Sequence, residues 1–115
     1  MSDVEEQVVV GIHKMLSKLS EEKNQKRFKK WNKTVAFSFK ELNKTWSTTL
    51  TAGLPGELLE GEIDKSKKYD ILLMTDPKTW LGIINKKVKA MAVFQSGELK
   101  IKGKMTDLLK LRKVL

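Results

Sequence analysis

The segment Met91–Leu115, MAVFQSGELKIKGKMTDLLKLRKVL, contains the end of a helix, a short strand and a closing helix. Residues 98–102 alternate between polar and apolar, which is the pattern of a strand with one buried face. Gly97 and Gly103 flank this strand, at positions where a helix end and a sharp turn favour glycine. Beyond Gly103, apolar residues recur at helical spacing and predict an amphipathic helix: Met105, Leu108, Leu109, Leu111 and Leu115.

Upstream of this segment, predicted helices and strands are mixed along the chain. An amphipathic helix is predicted over 4–19. It either continues, exposed, past the core or ends near Ser20, which would then be the N-cap of a second short helix. Asp76-Pro77 predicts the start of a further helix, with Asp as the cap and Pro in the first turn. Strands are predicted at 34–40, 45–51, 57–63 and 69–74, and a loop at 53–56. This order indicates an α/β or α+β fold with helices layered on one sheet.

Length and composition narrow the class of protein. A chain of 115 residues is expected to form one domain over 1–115 and to bury a core without cross-links. No cysteine is present, which excludes disulfides, zinc–thiolate sites and thiol nucleophiles. The sequence shows neither a signal-peptide pattern nor an apolar run long enough to span a bilayer. We therefore expect a soluble, cytoplasmic protein.

The formal net charge of +9 points to an anionic partner or to a lysine-rich solvated surface. Ten Lys and Arg residues fall in 14–44, where Phe28 and Trp31 are interleaved with them. The first interpretation is a helix that packs both aromatic residues inward. The second is transient docking on an anionic membrane surface, and the third is binding of single-stranded nucleic acid. The composition places nucleic acid last among these.

The order of the elements and the motif at the C-terminus resemble a known family. Residues 92–105, AVFQSGELKIKGKM, followed by the leucine-rich 108–111, are similar to the end of the sterol carrier protein domain, the type-two, non-specific lipid-transfer family. That family ends in the pattern A-x-F-x-x-G-x-L-K-I-x-G-x-M before a leucine-rich helix. One departure is Asn85-Lys86-Lys87, which stands where the family commonly has a Gly-Lys pair.

The resemblance implies a single five-stranded, mixed, mostly antiparallel sheet with helices on one face and an apolar tunnel between helices and sheet. It also implies a carrier of fatty acyl chains, acyl-CoA or sterol-like lipids, with no catalysis and no cofactor. The residues expected to bind lipid are apolar side chains of the strands and helices around that tunnel: Trp46, Met74, Trp80, Ile83, Ile84, Met91, Phe94, Met105, Leu108 and Leu109.

The sequence supplies little for catalysis or for metal binding. His13, the only histidine, lies at the edge of the first helix without a partner motif, so a solvated role is the simpler interpretation. The carboxylates in 57–64 are expected to form a solvated face. The alternative to a lipid carrier is a protein- or nucleic-acid-interaction module in which the same apolar residues fill an ordinary core.

Overall fold

A computed structural model describes residues 2–115, with side chains from Val4 onward. The helices are α1 (Ser2–Leu19), α2 (Glu22–Phe28), α3 (Pro77–Ile84), α4 (Ala90–Ser96) and α5 (Met105–Leu111). The strands are β1 (Thr34–Phe39), β2 (Lys44–Thr51), β3 (Leu54–Pro55), β4 (Leu59–Glu62), β5 (Ile71–Met74) and β6 (Lys100–Lys102). Short 3-10 helices cover Lys40–Leu42 and Arg112–Val114.

The strands form one mixed sheet in the order β3-β2-β1-β5-β6, and β4 also pairs with β2. Only β1 and β5 are parallel; the other pairs are antiparallel. The sheet therefore has six strands rather than the five expected. The additional strand is β3, which lies within residues 53–56, the segment predicted as a loop. Ala52 and Gly53 both take left-handed φ values, 53° and 79°. A two-residue turn of this kind matches the twist of the strands that it joins, and here it pairs Leu54 of β3 with Thr51 of β2.

The core lies between one face of the sheet and the helices. Phe37 of β1, Trp46 of β2 and Trp80 of α3 meet there with less than a tenth of each side chain exposed. Trp80 lies 5.6 Å from the Phe37 ring and donates its Nε1–H to the carbonyl of Val8, which ties α3 to α1. On the opposite face of the sheet, β2 carries the short polar side chains of Thr45, Ser47, Thr49 and Thr51.

The aromatic residues in and just after the short helix α2 pack inward. Phe28 is fully buried and Trp31 is nearly so, with ring centroids 4.8 Å apart. This confirms the first interpretation of the basic segment and leaves neither ring free to stack on a base. The predicted cap at Ser20 is wrong, since Glu21 precedes the helix and the Ser20 hydroxyl donates to the carbonyl of Ser17.

The predicted cap of α3 is confirmed, and it has a measurable pH dependence. Partial burial alone would raise the pKa of Asp76. The carboxylate accepts hydrogen bonds from the Thr79 backbone N–H and from the Thr79 hydroxyl, each 2.7 Å long. These bonds have the larger effect, so the pKa of Asp76 lies below its usual value. A lowered carboxylate pKa stabilises the fold above the ordinary Asp pKa of about 3.9, and this stabilisation is lost as pH falls through the folded pKa.

We therefore expect Asp76→Ala to lower the free energy of unfolding by about 1 kcal/mol near pH 7. The difference from the parent protein should shrink as the pH is lowered from about 5 to about 2. Urea unfolding across this range measures both effects. Asp76→Asn is the matched control, because Asn also caps helices but does not titrate. A deficit in Asp76→Ala that is constant with pH would contradict this account.

Candidate functional site

An apolar pocket opens between α4, β6 and α5, at the end of the sheet where β6 is the edge strand. Its volume is about 210 Å3, and its surface is almost entirely carbon and sulfur. Ten residues line it, and Arg112 alone among them is charged: Ala90, Met91, Phe94, Leu99, Ile101, Met105, Leu108, Leu109, Arg112 and Leu115.

Two glycines bring the walls of this pocket together. Gly97 ends α4 with φ 89° and donates its N–H to the carbonyl of Phe94, so the chain turns sharply into β6. At Gly103 a Cβ atom would lie 2.9 Å from the carbonyl oxygen of Asp70, so the turn from β6 into α5 leaves no room for a side chain. The two turns fold α4 and α5 toward the same side of β6.

Helix α5 is anchored on one side and exposed on the other. Its buried side carries Leu111 and is continued by Val114 beyond the helix. The buried carboxylate of Asp107 lies 3.2 Å from Lys33 Nζ, at ion-pair distance but without the alignment of a hydrogen bond. On the pocket side, Met105 is 68% exposed and Leu109 is 50% exposed. Large apolar side chains this exposed are typical of a binding surface rather than of a core.

Five of the ten residues predicted to bind lipid line this pocket. Leu108 is half-buried, and the others are markedly exposed: Met91, Phe94, Met105 and Leu109. They come from two helices that the sequence motif joins through β6. The structure thus brings them together, and their contact with lipid remains a prediction.

The other five predicted residues lie elsewhere. Trp80, Ile83 and Trp46 fill the space between helices and sheet, where an enclosed tunnel was expected, and the Trp46 Nε1–H is donated to Glu60 at 3.2 Å. Met74 alternates with the buried Leu73 along β5, which directs it to the opposite face of the sheet. Trp46 and Trp80 each pack against Phe39, and the apolar pocket lies instead at the sheet edge, open to solvent. Ile84 lies in a second groove.

That second groove, between α1 and α3, is larger but more polar. Its volume is about 470 Å3, and Glu6, Lys14 and Asn85 are among its lining residues. An apolar ligand there would remove these charged groups from water without pairing them, which is costly. The α4–α5 pocket is therefore the better candidate site.

Sequence reasoning missed half of the pocket lining, although signals for several residues were present. Leu99 and Ile101 share one face of β6, as the alternation of residues 98–102 indicates. Arg112 falls within the apolar arc of the closing helix, where a cation indicates the rim of an apolar site. Leu115 shares the predicted apolar face of the closing helix with Met105 and Leu108, whereas nothing in the local pattern distinguishes Ala90 from ordinary surface.

The side chains offer little for metal or acid–base chemistry. Among the residues that the structure describes, no three His, Asp or Glu side chains are grouped closely enough to hold a metal ion. His13 is exposed on α1. The predicted acidic face is present on the exposed β4, where Glu60 lies 3.2 Å from Lys44. Hydrogen bonding to Glu5, at 2.7 Å, and to Glu60 raises the pKa of Lys44.

Fold and pocket together define a small α/β domain with an open apolar site at the sheet edge. Residues 12–115 match the model of the SCP-2 sterol transfer family, and the chain belongs to this family of lipid-binding and lipid-transfer domains. The resemblance carried by residues 92–105 is thereby confirmed. No curated protein sequence matches the chain significantly. Within residues 2–115, no helix is long and apolar enough to cross a membrane.

Solved structures show the same fold at low sequence identity. Sterol carrier protein 2-like 2 from Aedes aegypti superposes with a TM-score of 0.68 at 13% identity, over 97% of this chain and 99% of that one. Its palmitated form gives a TM-score of 0.66 at 14% identity, over 90% and 89%. Apo sterol carrier protein 2 from Yarrowia lipolytica gives 0.56 at 24% identity, over 90% and 80%.

A similar domain also occurs inside an enzyme. The sec-alkyl sulfatase PisA1 superposes with a TM-score of 0.61 at 19% identity, over 79% of this chain. The match spans only 14% of the sulfatase, so it concerns one domain of that protein. The fold is therefore found both by itself and as part of a larger catalytic chain.

Proposed function

We propose that this protein is a lipid carrier that holds an acyl chain in the α4–α5 pocket and leaves it chemically unchanged. The observation that carries the proposal is the pocket lining. Four large apolar side chains, Met91, Phe94, Met105 and Leu109, are each at least 40% exposed around one apolar pocket. A ligand that covers them removes apolar surface from water, which is favourable by about 25 cal/mol per Å2.

Carriage without an energy source is consistent with this surface. Moving an acyl chain out of water is worth about 0.8 kcal/mol per methylene, whether the chain enters a bilayer or a dry pocket. The transfer free energies into the bilayer and into the pocket are therefore nearly equal. Small differences in contacts at the lipid headgroup then decide whether the chain is loaded or released. The same near-cancellation gives the protein little preference among apolar chains.

The volume of the pocket indicates that loading involves movement of its walls. At about 210 Å3 the pocket is smaller than the roughly 300–1,000 Å3 typical of small-molecule sites. Helix α4 buries only Val93 in the core. Segments with few buried contacts open most readily, so α4 is the wall expected to move. A long chain would separate α4 from α5 and lie against Met105 and Leu109.

The ligands proposed are fatty acids, acyl-CoA or sterol-like lipids. Arg112 is the charged residue on the rim, so it would pair with the carboxylate of a fatty acid or with a phosphate of acyl-CoA. The palmitated form of the Aedes aegypti protein supports an acyl chain as the apolar part. Titration with dansyl-labelled fatty acid, and its displacement by palmitate, palmitoyl-CoA and cholesterol, tests these classes separately.

Alanine variants along α5 should separate ligand contact from core packing. Met105→Ala and Leu109→Ala are expected to weaken binding of the dansyl fatty acid while lowering the free energy of unfolding by less than about 1 kcal/mol, because both side chains are exposed. Leu111→Ala is the control in the same helix. It should lower stability by about 2–5 kcal/mol, since Leu111 is buried in the core.

The measurements are denaturant unfolding of delipidated protein and fluorescence titration of the same variants. Leu108 is half-buried, so Leu108→Ala should show an intermediate loss in both. Unchanged binding in all three pocket variants would exclude α5 from the site. Native mass spectrometry of the parent protein then shows directly whether a lipid is retained on purification.

A further inference from the structure

We propose that the exposed surface of α4 and α5 docks on an anionic phospholipid bilayer, so that the pocket opens toward the lipids. This inference deepens the proposed function and rests on it for the role of the pocket. It assigns the docking surface to residues 88–113 rather than to the basic segment around α2.

The first observation is where the exposed apolar side chains lie. Among residues 4–115, whose side chains the structure describes, nine large apolar residues are at least 40% exposed. Five of them fall within residues 88–109: Val88, Met91, Phe94, Met105 and Leu109. Four of the five also line the pocket. A patch that is continuous with a pocket allows an acyl chain to pass between bilayer and protein without crossing water. Exposed apolar patches of this kind mark interaction surfaces.

The second observation is charge. Residues 86–115 contain nine Lys and Arg against Glu98 and Asp107. Lys100 and Lys102 alternate with the pocket-lining Ile101 and face the other side of β6, which leaves seven basic residues outside that strand. Asp107 is buried beside Lys33, so Glu98 is the one acidic side chain that this segment shows to solvent. A surface that combines insertable apolar side chains with many lysines matches an anionic bilayer, where each Lys or Arg near the surface adds attraction. A neutral bilayer would be bound through insertion of the apolar side chains alone, without the electrostatic attraction.

The basic segment 14–44 provides a natural comparison. It carries as large an excess of basic residues, but Phe28 and Trp31 are buried, and no side chain of α2 is a large exposed apolar group. Charge without insertable apolar groups gives weak, salt-sensitive attraction. Docking should therefore depend on the α4–α5 surface more than on α2.

Vesicle flotation with matched charge reversals tests this. Lys89, Lys104 and Lys113 are exposed and each stands next to a pocket-lining residue; Lys26, Lys29 and Lys30 are exposed on or just after α2. We expect Lys89→Glu/Lys104→Glu/Lys113→Glu to lower partitioning onto phosphatidylcholine–phosphatidylglycerol vesicles by at least about tenfold. The same change at Lys26, Lys29 and Lys30 should lower it by less than about threefold, since those lysines lie farther from the bilayer. Equal losses in the two triple variants would overturn the proposal.

A second measurement gives the orientation. The chain has no cysteine, so single cysteines can carry a polarity-sensitive dye. We expect the dye at Met105→Cys to shift to the blue when anionic vesicles are added, and the dye at Leu59→Cys, on the exposed β4, to stay unchanged. A shift at Leu59 alone would overturn the assignment. A blue shift of the dye at Met105 in the absence of vesicles, in a protein that sediments as a dimer, would also overturn it. That result would show that this surface pairs two copies of the protein.

Titration with dansyl fatty acid in the absence of vesicles separates this proposal from the proposed function. The triple variant at Lys89, Lys104 and Lys113 should keep its affinity for the probe within about threefold, since those side chains do not line the pocket. Loss of vesicle binding with retained probe binding supports docking by this surface. A parent protein that binds vesicles but gives a flat titration would leave docking intact and refute the carrier function.

Discussion

Replacing Trp80 with alanine should lower the free energy of unfolding by about 3–5 kcal/mol, the largest effect we expect from a single change in this chain. Trp80 has no exposed surface and packs against Phe37 and Phe39 at ring separations of 5.6 and 6.2 Å. Its Nε1–H is donated to the carbonyl of Val8 at 3.2 Å. Truncation would open a cavity between sheet and helices and remove the hydrogen bond that ties α3 to α1.

Trp80→Phe keeps most of the volume and is the matched variant. It should lose the hydrogen bond and part of the packing, with a cost of about 1–2 kcal/mol. Binding of dansyl fatty acid should be unchanged in Trp80→Phe, because Trp80 does not line the α4–α5 pocket. Urea unfolding and probe titration on the same samples give both results. Strong loss of probe binding in a stable Trp80→Phe protein would return Trp80 to the lipid site, as the sequence suggested.

The second large effect should be on binding rather than on stability. Phe94→Asp is expected to weaken binding of dansyl fatty acid by at least about tenfold, since it removes an aromatic contact and leaves a carboxylate to be desolvated by the chain. Phe94 is 41% exposed on α4, so its replacement should change the free energy of unfolding by less than about 1 kcal/mol.

Gln95→Asp is the matched control for this prediction. Gln95 is exposed and adjacent to Phe94 but does not line the pocket, so the variant carries the same new charge on the same short helix. Its affinity for the probe should stay within about threefold of the parent protein. Equal weakening by both substitutions would show that negative charge on α4, and not the loss of Phe94 from the pocket, controls binding.

Local patterns identified most of the fold. The Asp76-Pro77 cap, the alternation in residues 98–102 and the glycine at 97 each depend on interactions between near neighbours in sequence. The cap and the glycine are found as predicted, and the strand is present but shorter, over Lys100–Lys102. The strand β3 was missed because it has two residues, and the left-handed backbone at Ala52 carries no strong compositional signal. Lys86 also takes a left-handed φ, 58°, without being glycine.

The location of the pocket could be predicted only in part. Met91, Phe94, Met105, Leu108 and Leu109 lie within one continuous motif, so sequence reasoning placed them together. Trp46, Trp80 and Ile83 have the same apolar character but are buried in the core with Phe37 and Phe39. Apolar side chains behave alike in a sequence pattern whether they face a core or a ligand, because both environments exclude water.

The sequence by itself therefore determined the family, the order of the helices and of every strand except β3, and the apolar, cysteine-free chemistry, all of which follow from residue type and short-range spacing. The tertiary structure alone decided that Phe28 and Trp31 turn inward and that the apolar space opens at the sheet edge. Which apolar side chains meet depends on contacts such as Trp80 with Val8, separated by 72 positions in the chain. Contacts of this range are set by the packing of whole elements, and no local pattern encodes them.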